Sequence, residues 1–205
     1  MLNGRKVLAL GAHPDDLELG CGATLAKLAA SGVEIHAVVM TQGGRGTDGG
    51  FNRVRETKEA LTYLGLKSVT QLDFPDTRLH EHLNELIAVI EAAVAEHDPA
   101  RVYTMFDGDR HQDHRAVHQA SAVACRLVAQ IMSYETPSSY PNFVPTLFEP
   151  IDQHLEMKIS SLKMHLSQAE RFYMREEKVR SAAHFRGVQV DLGPSEGFLP
   201  YKLIL

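Results

Sequence analysis

Four apolar, β-branched runs, at residues 7–11, 33–40, 69–72 and 102–105, alternate along the chain with helix-like segments at 17–30, 52–64, 83–96 and 114–132. That alternation narrows the fold more than any other feature. Parallel neighbouring strands cannot be joined by a tight turn and need a crossover, usually a helix. The pattern therefore predicts a mostly parallel α/β sheet with helices on both faces. Helix stops stand where this scheme needs them, at Ser31-Gly32, Leu64-Gly65 and Asp98-Pro99. From Tyr134 onward the pattern changes: Pro137, Pro141, Pro145 and Pro150 mark strand-and-turn material, before amphipathic stretches at 151–166 and 170–185. The 205 residues suffice for one domain, with 1–132 as the sheet-and-helix core and 133–205 completing a cleft.

The first apolar run stops abruptly in His13, Pro14, Asp15 and Asp16. An imidazole and two carboxylates at one turn can bind a divalent metal through the His and one Asp, leaving the other Asp free to move protons. A lone His-x-x-Asp is more often a cap or a surface ion pair. Here a second cluster, His111, Gln112, Asp113 and His114, follows the fourth run and can supply a third ligand. A catalytic zinc takes three protein ligands and keeps its fourth position for water; iron also accepts two histidines and a carboxylate. The second and third runs end in TQGGRGT (41–47) and FPDTRL (74–79). All four motifs thus fall at strand C-terminal ends, the edge at which open α/β sheets bind ligands. The pair Gly20 and Gly22 raises a competing nucleotide-binding reading. Leu25 stands where the third glycine of that motif belongs, however, and carboxylates would lie beside the phosphate, so close packing explains these glycines better.

Composition removes other classes. Hydrophobic content is 44%, and the formal charge of 21 minus 26, or −5, comes without a basic block, which argues against a nucleic-acid surface. No secretory leader or bilayer-length apolar run is visible, so stable membrane insertion is not expected. Cys21 and Cys125 lack the spacing of a redox or zinc pair and fit a reducing, cytoplasmic setting. Apolar residues within 140–148 suggest a surface buried between subunits of a homo-oligomer.

The segments AHPDDLELGCGATLAKL (12–28), HQDHRAV (111–117), YETPSS (134–139), KMHLSQ (163–168) and SEGF (195–198) together resemble the PIG-L-type, LmbE-like zinc-dependent de-N-acetylases. The likeness extends over nearly the whole chain, and AHPDD joined at a distance to His-x-Asp-His is its specific part. It implies a Rossmann-like fold and a Zn2+ cofactor, with Fe2+ or another divalent metal as alternatives. The implied reaction removes the N-acetyl group from an N-acetylglucosamine-type sugar or glycoconjugate, releasing acetate and a free amine. By motif position, His13, Asp16 and His114 are implied metal ligands and Asp15 the general base. His111 would stabilise the tetrahedral oxyanion or donate a proton. Asp113 would fix an imidazole tautomer, or cap the helix that begins near His114.

Arg53 and Asp76 match substrate-binding positions of the family. The alternatives are a helix ion pair of Arg53 with Glu56, and a Pro-Asp turn at Asp76. Arg45 would reach an anionic part of the substrate or belong to a mobile lid. Glu196, within SEGF, would help hold substrate or amine product. Lys163, His165 and Gln168 are expected to be structural. Two other functional readings stand beside this one: a metal-dependent hydrolase of an ester or phosphoester, and a non-catalytic metal- or nucleotide-binding module.

Overall fold

The computed structural model describes residues 5–46 and 52–204. Thr47, the last residue of the glycine-rich loop motif, lies outside the described residues. Seven strands form one sheet in the order β3-β2-β1-β4-β5-β7-β6. They are β1 (Lys6–Gly11), β2 (Glu34–Val39), β3 (Ser68–Gln71), β4 (Arg101–Met105), β5 (Gln130–Tyr134), β6 (Leu147–Pro150) and β7 (Ser195–Leu203). The first five are mutually parallel, with Leu8 level with His36 on one side and Val102 on the other. β7 runs antiparallel to both β5 and β6.

Strand order explains burial. β1 is flanked on both edges and covered on both faces, and its residues from Val7 onward are buried, as a near-continuous apolar run requires. On one face lie α1 (Asp16–Ala30), α2 (Arg53–Tyr63) and α5 (Leu155–Leu162); α3 (Leu83–His97) packs with α4 (Gln112–Ala124) against β1 and β4. α6 (Glu176–Val188) lies against β7, β6 and α5. A large apolar core spans the sheet, and a smaller cluster joins Ala23 of α1 to Ile151, Leu155, Ile159, Val179 and Ala183. The chain leaves β1 toward β2 on one side and later enters β4 on the other. The gap between the C-terminal ends of β1 and β4 is therefore the switch point at which such sheets bind ligands.

One expectation is corrected. The segment 114–132 is not one helix: α4 ends at Ala124, and Gln130–Tyr134 is β5. The side chains of Ile131 and Met132 are buried by pairing of their strand with Val102 and Tyr103 of β4, a long-range gain that outweighs local helical periodicity. SEGF, for which the sequence suggested no element, is the start of the nine-residue strand β7. Pro200 hides that strand from the sequence, and it is accommodated where the β5–β7 register shifts between Ile131 and Met132.

Candidate metal centre and active site

The turn after β1 delivers the first half of the site. Asp16 opens α1, and its Oδ2 accepts the amides of Ala12 at 3.1 Å and His13 at 2.7 Å, which folds the carboxylate back over the turn. Asp15, one residue earlier, stands at the helix N-cap with φ of 87° and makes no capping hydrogen bond. Its side chain faces inward instead. Gly20, one turn on, lets the Tyr134 ring pack directly against α1, and the Tyr134 hydroxyl donates to the Leu10 carbonyl at 2.7 Å, fixing the strand end beneath the turn.

The second half comes from the start of α4. His111 is the N-cap residue, and its Nδ1 accepts the Asp113 amide at 3.2 Å. Asp113 is therefore not the helix cap. Its fully buried carboxylate accepts the amides of Thr77 at 2.7 Å and Leu79 at 3.0 Å, and lies 3.0 Å from His13 Nε2. It ties the loop after β3 to α4 and orients the His13 ring.

Three groups converge between these halves. Asp16 Oδ2 is 3.5 Å from His13 Nδ1, and Asp16 Oδ1 is 3.3 Å from His114 Nε2. Each imidazole turns its other nitrogen to a carboxylate, His13 to Asp113 and His114 Nδ1 to Asp109 Oδ2 at 3.0 Å. That arrangement is the one that fixes a metal-ligating histidine in its tautomer and raises its basicity. His13, His111 and His114 also bring donor atoms within 4.8 Å of one another, as do His13, Asp76 and Asp113. Asp113 accepts an amide on each oxygen, whereas Asp16 takes both of its amides on Oδ2 and turns Oδ1 to His114, so His13, Asp16 and His114 could hold a divalent metal, with His111 Nε2 as a further donor atom beside them.

Electrostatics agree with a cation site. Burial alone lowers His13 and His114, but the surrounding carboxylates outweigh it. His13 is raised well above the usual imidazole value through Asp113 and Asp16, and His114 to about 9 through Asp16 and Asp109. Burial raises Asp16, yet His114 and His13 hold it well below the usual carboxylate range. Asp15 behaves oppositely: burial first, then the neighbouring Asp16, pushes it up to about 7 against the pull of His165 and Arg53. Its buried Oδ2 has no hydrogen-bond partner. His111 is lowered by burial and by the positive His13 and His114.

A cavity of about 330 Å³ opens over these groups, lined by His13, Asp15, Asp16, His111 and His114 and by the expected Arg45, Arg53 and Asp76. Arg53 does not pair with Glu56. It donates to the carbonyls of Gly43 at 2.7 Å and Pro14 at 3.1 Å and lies 3.6 Å from Asp15 Oδ2, while Glu56 accepts the Ser167 amide and hydroxyl. Asp76 Oδ2 accepts the Arg45 amide at 2.8 Å, and its Oδ1 is 3.3 Å from His13 Nε2.

Glu196 is not brought to this cavity. Its Oε1 accepts Lys158 Nζ at 2.7 Å and the Ala23 amide at 3.2 Å, and its Oε2 accepts the Thr24 amide at 2.7 Å. The cause lies in α1, where Cys21 has non-helical angles (φ −143°, ψ 15°) and the break frees those amides. The carboxylate is thus consumed as an internal cap.

Of the expected structural trio, Lys163 pairs with Glu176 and His165 with the buried Glu18, but Gln168 reaches the cavity and donates to the Gly46 carbonyl. Sequence reasoning missed Asp109, which accepts from Thr136, Ser138, the His111 amide and His114 at once and is held at about 2, burial opposing. Arg110, Thr136, Ser138, Arg171 and Tyr173 also line the cavity unannounced. The run Asp107-Gly108-Asp109 after β4 was the available signal for Asp109.

Two histidines and a carboxylate beside a spare buried carboxylate, at the switch point of a mostly parallel sheet, form a donor set of the kind that hydrolytic metalloenzymes use. The chain belongs to the PIG-L family, whose model, described as GlcNAc-PI de-N-acetylase, matches residues 8–125. An uncharacterized deacetylase of Escherichia coli is 51% identical over 172 residues, covering 80% of this chain and 93% of that protein. The diacetylchitobiose deacetylase of Thermococcus kodakarensis is 29% identical over 187 residues, covering 80% of this chain and 70% of that protein. Among solved structures, a conserved protein of Thermus thermophilus superposes with a TM-score of 0.87 at 25% identity, over 98% of this chain and 96% of its own. Among the described residues, no helix is long and apolar enough to cross a membrane.

Proposed function

We propose that this chain hydrolyses the acetamide of an N-acetylglucosamine-type sugar, releasing acetate and a free amine, with His13, Asp16 and His114 as metal ligands. The observation that carries the reading is Asp15: a buried carboxylate oxygen without a hydrogen-bond partner, next to a two-histidine, one-carboxylate donor set. A divalent metal held there by His13, Asp16 and His114, zinc or iron, would supply the acidification of water and the polarisation of the amide carbonyl.

The chain's own groups do the rest. Asp15, buried beside the donor set with one carboxylate oxygen free of hydrogen bonds, acts as the base that takes the proton of the attacking water and returns it to the departing nitrogen. His111 is assigned its role by its tautomer. Because Nδ1 accepts the Asp113 amide, the neutral ring carries its proton on Nε2 and donates it as a hydrogen bond to the oxyanion of the tetrahedral adduct. Asp113 and Asp109 orient the two ligand imidazoles. Arg53 holds the loop carbonyls of Pro14 and Gly43 and shapes the wall beside Asp15, and Asp76 is placed to accept a sugar hydroxyl. Arg45 lies at the mouth, where it would meet an anionic substituent. The named activities of the relatives favour an aminosugar over an ester or phosphoester.

The test is acetate release from N-acetylglucosamine and its conjugates by metal-loaded and chelator-treated protein, with metal content measured in parallel. Asp15→Asn should retain the metal and lose activity by at least about a hundredfold. Release that survives the substitution, or metal-loaded wild type that cleaves phosphoesters and ignores acetamides, would overturn the reading. A cytoplasmic location and a homo-oligomeric state belong to the same proposal. They are supported by two buried free cysteines and by exposed Tyr140 and Val144 in the segment after β5, and fractionation and light scattering test them. Phe143 in that segment is buried within the chain and cannot contribute.

A further inference from the structure

A second cavity of about 450 Å³ adjoins the first and shares Leu19, Arg110, Thr136, Pro137 and Tyr173 with it. Its remaining surface is largely apolar, with Gly20, Val179, Ala182 and Ala183 lining it and the Phe172 ring beside them. The carboxylates in its wall are already taken. Glu135 receives Arg186 through both oxygens, at 2.6 and 2.5 Å, and Glu196 receives Lys158 and two helix amides. Two cations are not matched in this way. Lys178 Nζ lies 4.6 Å from the Phe172 ring centroid, with its nearest carboxylate oxygen, on Glu177, 3.8 Å away. Arg110 donates to the carbonyls of Pro137 and Ser138, each at 3.3 Å, and has no carboxylate partner among the described residues.

We infer that this cavity holds the aglycone of the aminosugar, and that the aglycone is an apolar ring carrying an acid group. The inference rests on the deacetylase reading of the neighbouring site. The anomeric carbon of such a sugar is bonded directly to the carbon bearing the acetamide, so with the acetamide at the metal centre the aglycone must leave along an adjacent wall. Tyr173 and Pro137 form a wall common to both spaces. An apolar concavity with a few convergent polar groups takes a ring by burial, and Arg110, which has no carboxylate partner among the described residues, with Lys178, held only by a long 3.8 Å ion pair to Glu177, favours a carboxylate or phosphate on it. A neutral, fully hydroxylated aglycone would leave Arg110 without an anionic partner and lose its own hydration against alanine and valine.

The experiment compares kcat/KM for acetate release from the methyl, phenyl, 4-carboxyphenyl and 4-phosphonophenyl N-acetylglucosaminides, in both anomers, by wild type, Ala182→Phe and Lys178→Glu. Ala182 is exposed on α6 and Lys178 half-exposed, so neither change disturbs the core. Wild type should favour an acid-bearing ring over the methyl glycoside by about tenfold or more. Ala182→Phe should remove that preference while leaving the methyl glycoside within about twofold of wild type, and Lys178→Glu should abolish the gain from the acid group while sparing that from the ring. The carboxylate and phosphonate arms separate the two acid chemistries. Equal rates on all four glycosides, or an Ala182→Phe loss shared by the methyl glycoside, would overturn the inference.

Should no substrate release acetate, the deacetylase reading fails separately. Calorimetric titration of the free amine of the 4-carboxyphenyl glycoside then decides the cavity: binding by wild type that Ala182→Phe removes sustains it, and no binding by wild type overturns it.

Discussion

Asp15 is where local stability and chemistry pull apart. An aspartate at a helix N-cap ordinarily accepts an amide of the first turn and stabilises the helix by about 1 kcal/mol. Here that bond is not made, the backbone is left-handed, and one carboxylate oxygen is buried without a hydrogen bond, 3.6 Å from the Arg53 guanidinium. Replacing it by glycine removes both penalties, since glycine occupies this conformation freely. Asp15→Gly should therefore abolish activity while raising stability by about 1–2 kcal/mol, read as an upward shift in Tm; a destabilised variant would show that the site does not strain the turn. His165 offers a pH test nearby. Burial lowers it, but Glu18 at 2.8 Å, with Asp15 and Glu56 beyond, outweighs this and leaves it raised. A raised group contributes stability that is complete below its unfolded value near about 6.5 and is lost as pH climbs through its folded value. Wild-type Tm should fall more steeply from neutral to alkaline pH than that of His165→Gln, and parallel curves would count against the pair. Residue types made part of the candidate site legible: His13, Asp15, Asp16, His111 and His114 pointed to metal and proton chemistry once the two clusters were set side by side, and the fold brings all five to one cavity. Asp109 did not, because an aspartate beside a glycine is an ordinary turn signal until Thr136 and Ser138, far along the chain, close around it.

At the scale of elements, the break in α1 is what the C-terminal strand repairs. Cys21 leaves the helical path, the amides of Ala23 and Thr24 turn to Glu196 on β7, and Lys158 on α5 donates at 2.7 Å to both the Leu19 carbonyl and Glu196. Three elements are thereby locked behind the turn that carries Asp15 and Asp16. Glu196→Ala strands a buried ammonium and two amides, and removal of one member of such a pair typically destabilises by about 3–5 kcal/mol. In a chain of this size each kcal/mol moves Tm by about 2–4 °C, so a drop on the order of 10 °C is expected in thermal unfolding. A change within about 2 °C would mean that water replaces the clamp without penalty. This role was not legible in sequence. Glu196 matches a position with an expected substrate contact, and nothing local reveals that α1 breaks at Cys21 or that β7 crosses behind it. The same limit explains β5: QIMSY gains its strand identity from β4, and the preceding residues carry helical periodicity up to the boundary. β1, β2 and β4 were legible because each buries a nearly continuous run that needs no partner to be recognised, whereas β3, SVTQ at the sheet edge, is only half-buried and shows itself through its β-branched Val69 and Thr70.

For the molecule as a whole, the order β3-β2-β1-β4 does what the alternation of strands and helices predicted, bringing four loops from distant parts of the chain to one edge. What that order could not convey is the second cavity, whose walls come from the 3-10 turn Phe172–Met174, α6 and β7, all placed by packing of the C-terminal third. The candidate metal ligands straddle the switch point, His13 and Asp16 after β1 and His114 on the helix after β4, so an ion held by all three ties the two halves of the sheet together. Binding confined to the folded state adds stability by mass action, about 2.7 kcal/mol when free metal is a hundred times the dissociation constant. Zinc at that excess should raise Tm over chelator-treated protein by about 5–10 °C. The shift should vanish in Asp16→Asn, whose carboxylate faces both imidazoles, and persist in Asp15→Asn, which lacks only the base. An Asp109→Asn variant should sit between them, because His114 loses the carboxylate behind it and metal affinity falls by about 10–100-fold, measurable by competition with a chromogenic chelator. A zinc-induced shift of undiminished size in Asp16→Asn would place the stabilising ion elsewhere on the surface and remove the physical basis for assigning these three residues as ligands.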